Sequence, residues 1–226
     1  MSGVVDMYWD REYGSHERVW GEGPSELARA ALGYLQPRVS ENRTWSLLDV
    51  GCGYGRDALY LVERFGCAVL GIDNSEKAIG IATRAVAETG TAGVEFRCCD
   101  FADVGACQYD IVCMSNLYQV LKPVERQALR ELVARTLGPG GTLFLSTLSV
   151  TDPQHSGKGH TVDGDPNSFV DRRYVHLSTR EELIDGFGFL DISELYEHEY
   201  YEPRANGEVH HHVSWVLIGE SRARPR

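Results

Sequence analysis

Long apolar runs, low-complexity tracts, internal repeats and paired-cysteine motifs are all missing from this chain. Each absence excludes a class of protein. No stretch approaches the roughly 18 consecutive apolar residues that a membrane span needs, so no membrane partner is expected. The opening residues, MSGVVDMYWDREYG, have neither a basic start nor an unbroken apolar run, and no secretory signal is expected in them. Positive charge is scarce: 22 Lys and Arg face 33 Asp and Glu, a formal charge of −11. With no strong basic patch, nucleic acid is a disfavoured partner and a small molecule is favoured. The six cysteines (Cys52, Cys67, Cys98, Cys99, Cys107, Cys113) form no CxxC pair and sit mostly in or beside strand-like segments. Reduced thiols in a cytoplasmic chain are the expectation.

What is present is a chain of 226 residues, 42% hydrophobic, long enough for one domain of the larger kind. Residues 5–22 mix aromatics (Tyr8, Trp9, Tyr13, Trp20) with charges and do not read as a core element. PSELARAALGYL then places Leu27, Ala28, Ala31, Leu32 and Leu35 at helical spacing, ended by Pro37. From TWSLLDV onward, strand-like and helix-like segments alternate. A helix GRDALYLVERF stops at Gly66, CAVLGID is a strand, and a helix capped by Asn74 or Ser75 runs to Gly90. The strands GVEFRCCD and YDIVCMSN, the helix PVERQALRELVARTL, the turn GPGG and the strand TLFLSTL follow. This alternation predicts an α/β fold, a doubly wound, Rossmann-like parallel sheet.

The alternation breaks at residues 149–176, which are polar, glycine-containing and too long for an ordinary connection, so an insertion or lid is expected. Ser178 and Glu181 have the spacing of a capping box, and LDISELYEHEYYEP and EVHHHVSWVLIGE flank RANG as an antiparallel hairpin. The expected organisation is one domain, 1–226. It comprises an amino-terminal lid and helix (1–40), a core (45–148), the insertion (149–176) and a carboxy-terminal helix and hairpin (177–226).

The stretch LLDVGCGYGRD carries three glycines in five residues, Gly51, Gly53 and Gly55, directly after a strand. Such a loop brings backbone N–H groups and a helix amino terminus to a ligand beyond the strand's carboxyl end. A dinucleotide fingerprint needs a third glycine where this chain has Arg56, which counts against an NAD-type oxidoreductase. No Gly-Lys-Ser/Thr follows, which counts against a phosphate loop. Asp57 reads as a first-turn charge complementing the helix dipole.

LLDVGCGYG, then VLGID, CCDF, YDIVCMSNLYQVL and LGPGGTLFLS, in that order, resemble the class I methyltransferases that use S-adenosylmethionine (SAM). The resemblance implies seven strands with a carboxy-terminal antiparallel hairpin, SAM as cofactor and S-adenosylhomocysteine as its product. It also implies roles by position. Gly51, Cys52, Gly53 and Gly55 would approach the methionine part, and Asp49 its α-amino group. Asp73, beside Asn74, would take the ribose hydroxyls. Asp100 and Phe101 would hold the adenine, Asn116 and Leu117 would line the floor, and Arg56 would reach the carboxylate. A SAM-binding protein without catalysis is the alternative. A nucleic-acid enzyme is opposed by the charge and by SNLYQ, where an Asn/Asp-Pro-Pro-aromatic motif would stand.

Methyl transfer is an in-line displacement, so a soft thiolate acceptor needs only alignment, whereas a hydroxyl acceptor gains from a base. His160, His176 and Tyr174 of the insertion are the catalytic candidates. Tyr8, Trp9, Tyr13, Trp20, Tyr118, His210 and His212 are candidates for acceptor binding. On a strand His210 and His212 share one face and His211 points away. Carboxylate partners at ligand spacing are not evident in the sequence, so no metal is expected. GKGH, NSF and RYVHLSTREELIDGFGF resemble the branch near tellurite-resistance and small-thiol methyltransferases. That resemblance implies a small acceptor: a thiol, a metalloid oxyanion or a small metabolite. The oligomeric state is left open.

Overall fold

A computed structural model describes residues 8–38, 43–203 and 208–222. The chain divides into two compact units, Met1–Val104 and Gly105–Arg226, where the sequence suggests one domain.

In the first unit, helix α1 (Tyr8–Ser15) precedes α2 (Glu26–Leu35). Ser25 caps α2 by accepting the Ala28 N–H, and all five predicted core residues of this helix are buried. Strands β1 (Ser46–Val50), β2 (Ala68–Asp73) and β3 (Val94–Cys98) lie parallel in the order β3-β2-β1. Their crossovers are α3 (Arg56–Phe65) and α4 (Glu76–Thr89). Gly66 and Gly90 close these helices in the left-handed conformation, as predicted, and Ser75 caps α4. Leu47, Leu48, Val50 and Ile72 fill the centre, each contributing about 1.5–3 kcal/mol by burial. Cys98, at the carboxyl end of β3, is exposed.

In the second unit, β4 (Tyr109–Ser115) pairs in parallel with β5 (Leu137–Leu148), and α5 (Pro123–Thr136) connects them. Pro123 suits the first position of α5, and Glu125 Oε2 accepts the Lys122 N–H at 2.7 Å. The GPGG turn is present inside β5: Tyr109 stands opposite Leu137 and Ile111 opposite Thr142, so residues 138–141 loop out of the ladder. β10 (Val209–Ser221) pairs antiparallel with β5, and β9 (Leu190–Pro203) pairs antiparallel with β10. The hairpin is as predicted, with its RANG turn lying outside the described residues.

Within residues 149–176, expected as an insertion or lid, β6 (His160–Val162), β7 (Asp165–Val170) and β8 (Tyr174–His176) form a small antiparallel sheet. One expectation changes. The cap of α6 (Arg180–Gly186) is Thr179, which accepts the Glu182 N–H at 3.1 Å. Ser178 is instead buried, and its N–H donates to Leu148 O at 2.8 Å.

Candidate active site

In the first unit, the chain leaves β1 through Asp49 and Val50 and turns at Gly51, Gly53 and Gly55, with φ of 70°, 55° and 78°. These left-handed angles are why glycine is used here. Part of what lies close to the loop is the chain itself. A Cβ at Gly53 would stand 2.7 Å from the Tyr13 hydroxyl, and one at Gly55 would stand 2.4 Å from the Phe96 ring. Gly55→Ala therefore combines backbone strain with overpacking, at a cost of about 2–4 kcal/mol. Gly66, with φ 72° and open space around it, carries only the strain of about 1–2 kcal/mol. Urea unfolding of the two alanine variants should separate them in that order.

Asp49 is buried, and its Oδ2 has no hydrogen-bond partner among the described residues. Burial first, then the like charges of Asp57 and Asp73, push its carboxyl well above the usual carboxylate range, with Arg56 opposing. A buried acceptor left unpaired carries a desolvation cost that a cationic donor would relieve. Cys52, also buried, has its thiol pushed up by burial and by Asp49.

Asp73 ends β2. Its Oδ2 accepts the Gly53 N–H and its Oδ1 the Ser75 N–H, both at 2.9 Å. Burial raises its carboxyl pKa, and the N–H groups of Ser75, Gly53 and Asn74 oppose the rise. One carboxylate thus ties the glycine loop to the start of α4 and keeps further lone pairs for a ligand. Asn74 is exposed beside it. Asp100 is exposed and accepts the Ala102 N–H at 2.8 Å, opening a short 3-10 helix at Phe101.

Several expected partners act differently. Arg56 donates to the carbonyls of Trp20 and Gly23, fastening the amino-terminal segment to the start of α3. Asp57 is buried and accepts both the N–H (2.7 Å) and the hydroxyl (2.6 Å) of Ser25, joining the starts of α2 and α3. The amino-terminal aromatics, which did not read as core, pack as one. Trp9 and Trp20 close on Tyr13, Tyr54 of the glycine loop and Ala78. Tyr8 meets Trp9 edge to face at 5.2 Å. Asp10 accepts the Ser75 hydroxyl at 2.5 Å.

In the second unit, Asn116 follows β4 with φ 57°, a left-handed angle rare outside glycine, and its N–H donates to Ser146 O at 3.1 Å. Leu117 is half-buried beside it. Tyr118, expected at an acceptor, is fully buried, its hydroxyl accepting from Arg130 at 2.6 Å and donating to Glu182 at 3.0 Å. His176 is buried with both ring nitrogens engaged, Nδ1 with Ser168 at 2.8 Å and Nε2 with Glu182 at 2.7 Å. The Tyr174 hydroxyl donates to Asp165 and accepts from Arg126. Arg126 also pairs with Asp165 at 2.7 Å, both side chains buried. The structure thus brings Tyr118, Tyr174 and His176 into a single network, while His160 is exposed on β6, opposite the Val170 that also faces Tyr174.

His210 and His212 share a face of β10, as expected, with ring centroids 5.8 Å apart, while His211 stacks on Tyr201 at 4.7 Å. Sequence reasoning missed the carboxylate beside His212. Asp152, fully buried, bonds the Nδ1 of His212 at 3.0 Å and of His155 at 2.9 Å. The only sequence signal was the short Asp152–His155 spacing within a polar turn.

A family model described as a methyltransferase domain matches residues 47–141. The ubiquinone biosynthesis O-methyltransferase of Idiomarina loihiensis is 31% identical over 152 residues, 66% of this chain and 58% of that protein. The 2-heptyl-1-hydroxyquinolin-4(1H)-one methyltransferase of Mycobacteroides abscessus is 30% identical over 212 residues, 87% of this chain and 92% of that protein. The chain spans little more than half the length of the first of these relatives and nearly all of the second. Among solved structures, one reported for the conversion of a disulfide bond into a thioacetal group during echinomycin biosynthesis has a TM-score of 0.72 at 21% identity, covering 98% of this chain and 93% of that one. TehB from Haemophilus influenzae has a TM-score of 0.66 at 14% identity, covering 96% of this chain and 67% of that one. The fold shared with these structures is the predicted Rossmann-like one. Neither the oxidoreductase nor the non-catalytic alternative gains support. No described helix is long and apolar enough to cross a membrane. The glycine loop, the acidic residues that follow it and the full-length relative converge: this chain belongs to the class I SAM-dependent methyltransferases.

Proposed function

We propose that this chain, its two units together forming one methyltransferase domain, transfers the methyl group of SAM to a small hydroxylated aromatic acceptor. Asp49 carries the reading: a buried carboxylate oxygen without a partner, at the end of β1 and beside three left-handed glycines, fits a cationic α-amino group. SAM supplies an electrophilic methyl on a sulfonium. The chain's own residues bind and orient it. Asp49 would take the amino group, the first N–H groups of α3 would meet the carboxylate, Asp73 would offer its remaining lone pairs to the ribose, and Asp100 with Phe101 would take the adenine. Arg56, engaged with Trp20 and Gly23, holds the amino-terminal segment against the loop.

The acceptor class rests on the relatives: one is named for O-methylation and one for a hydroxyquinolone. They favour a hydroxyl over a thiol or a metalloid oxyanion. His160, exposed on β6, is proposed to orient the acceptor or take its proton. His176 and Tyr174, whose ring nitrogens and hydroxyl are engaged within the network, position the insertion. Six free cysteines support a cytoplasmic location, and the net charge supports a partner other than nucleic acid.

Isothermal titration with SAM and with S-adenosylhomocysteine is expected to show one site per chain for each. Folded chain that binds neither overturns the proposal. A screen with methyl-labelled SAM against phenols, hydroxylated heteroaromatics, thiols and tellurite should label the hydroxylated compounds first. Label confined to thiols or tellurite would remove the acceptor assignment and keep the cofactor.

A further inference from the structure

We propose that Asp152, His155 and His212 bind a divalent transition-metal ion of the zinc class. One ligand atom from each residue lies within 4.8 Å of the others. Asp152 Oδ1 stands 2.9 Å from His155 Nδ1, and Oδ2 stands 3.0 Å from His212 Nδ1. Two ligands bonded at about 2.0–2.1 Å to one ion stand roughly 3.0–3.4 Å apart, so both carboxylate–imidazole separations are already close to those of a bound ion, and the imidazoles would draw in toward it. Two imidazoles and one carboxylate suit zinc, cobalt or nickel and not magnesium or calcium, which prefer oxygen throughout.

The trio is held in place by backbone. Asp152 Oδ1 accepts the N–H groups of Gln154 (3.0 Å) and His155 (2.9 Å), and Oδ2 accepts that of Val213 (3.0 Å). The Asp152 N–H donates to Ser149 O at 3.0 Å, directly beyond the carboxyl end of β5. The His155 ring stacks on that of His212, with centroids 5.5 Å apart and planes at 18°. His212 is buried, whereas the His155 side chain is 24% exposed, which gives an ion a way in. Without an ion, both Nδ1–H groups donate to the carboxylate. With one, each neutral ring ligates through Nδ1 and carries its single proton on Nε2, so no proton is gained or lost. Glu202 Oε2 is 3.8 Å from His212 Nε2, placed as a second carboxylate behind that ligand. The ion would clip the turn after β5 to β10, two elements of the second unit. This site does not depend on methyl transfer, and its test does not read activity.

The experiment titrates the chelator-treated full chain with Zn²⁺ alone. One ion per chain is expected, with no competition from Mg²⁺. His155→Ala, at a partly exposed side chain, should keep its circular dichroism and lose about tenfold or more in Zn²⁺ affinity. His211→Ala, on the opposite face of β10, should bind as wild type does. Co²⁺ should give visible d–d absorption in the wild type and not in His155→Ala. Wild-type chain without Zn²⁺ binding or without the Co²⁺ spectrum overturns the proposal, whatever the variants do. So does His155→Ala binding Zn²⁺ as tightly as wild type.

Discussion

Asp73→Ala is expected to weaken SAM binding by about a hundredfold or more while the chain stays folded. Hydrogen bonds to a charged acceptor contribute roughly 1.5–3 kcal/mol each, and the proposed ribose contact makes two. At about 1.4 kcal/mol per factor of ten, the loss reaches two orders of magnitude at the lower bound. The fold should persist because the N–H groups that Asp73 accepts, those of Gly53 and Ser75, sit where Asp73 itself is only part-buried and water can replace it. Ser75 keeps its own cap on Ala78. Some cost remains, because Asp73 also steadies the loop, and about 1–2 kcal/mol of stability should go with it. Asp73→Asn separates the two contributions. Its carbonyl oxygen keeps one backbone bond, so stability should recover more than affinity. Titration calorimetry and thermal melting on the same samples make the comparison, and unchanged affinity in Asp73→Ala would end the ribose assignment.

The parts legible in the sequence are those governed by local chemistry. Gly66 and Gly90 end their helices, Ser75 begins α4, and apolar spacing marks the buried side of α2, because each signal acts within a turn of chain. The glycine loop and Asp73 were legible for the same reason: backbone conformation dictates one, and position at a strand end the other. What escaped depends on distant partners. Thr179 rather than Ser178 caps α6 because Ser178 is drawn into the core by Leu148. The aromatics of α1 read as surface because their charged neighbours hid an apolar face that only α4 and the glycine loop complete. β6 and β8 have three residues each, too few for a period to register. Asp152 meets His212 across 60 residues, and no spacing rule reaches that far.

Arg126→Met should lower the melting temperature by roughly 6–20 °C. Breaking a buried ion pair costs about 3–5 kcal/mol, because the surviving charge has no compensation. In a chain of this size each kcal/mol shifts melting by about 2–4 °C. Arg126 loses its bonds to Asp165, Tyr174 and the Leu121 carbonyl together. The pH dependence identifies the cause. In the wild type, burial raises the Asp165 carboxyl pKa, but hydrogen bonds from Tyr174 and Arg126 outweigh it and hold the group below the usual range. Glu182, where His176 and Tyr118 overcome burial, is held low as well. Both carboxylates therefore contribute stability above their unfolded pKa values, about 4, and lose it as pH falls through their lower folded values. Without Arg126 its hydrogen bond and charge no longer oppose burial at Asp165, leaving Tyr174 and Ser168 to do so, and the pKa rises. The penalty on the charged form is then relieved by protonation as the solution becomes acidic. The stability gap between wild type and Arg126→Met should be widest near neutral pH and narrow below about pH 4. Arg126→Met combined with Asp165→Leu should recover much of the loss at neutral pH, since removing both charges removes the orphan. A gap that is constant with pH, with no recovery in the double variant, would show that Arg126 acts through packing and not through charge.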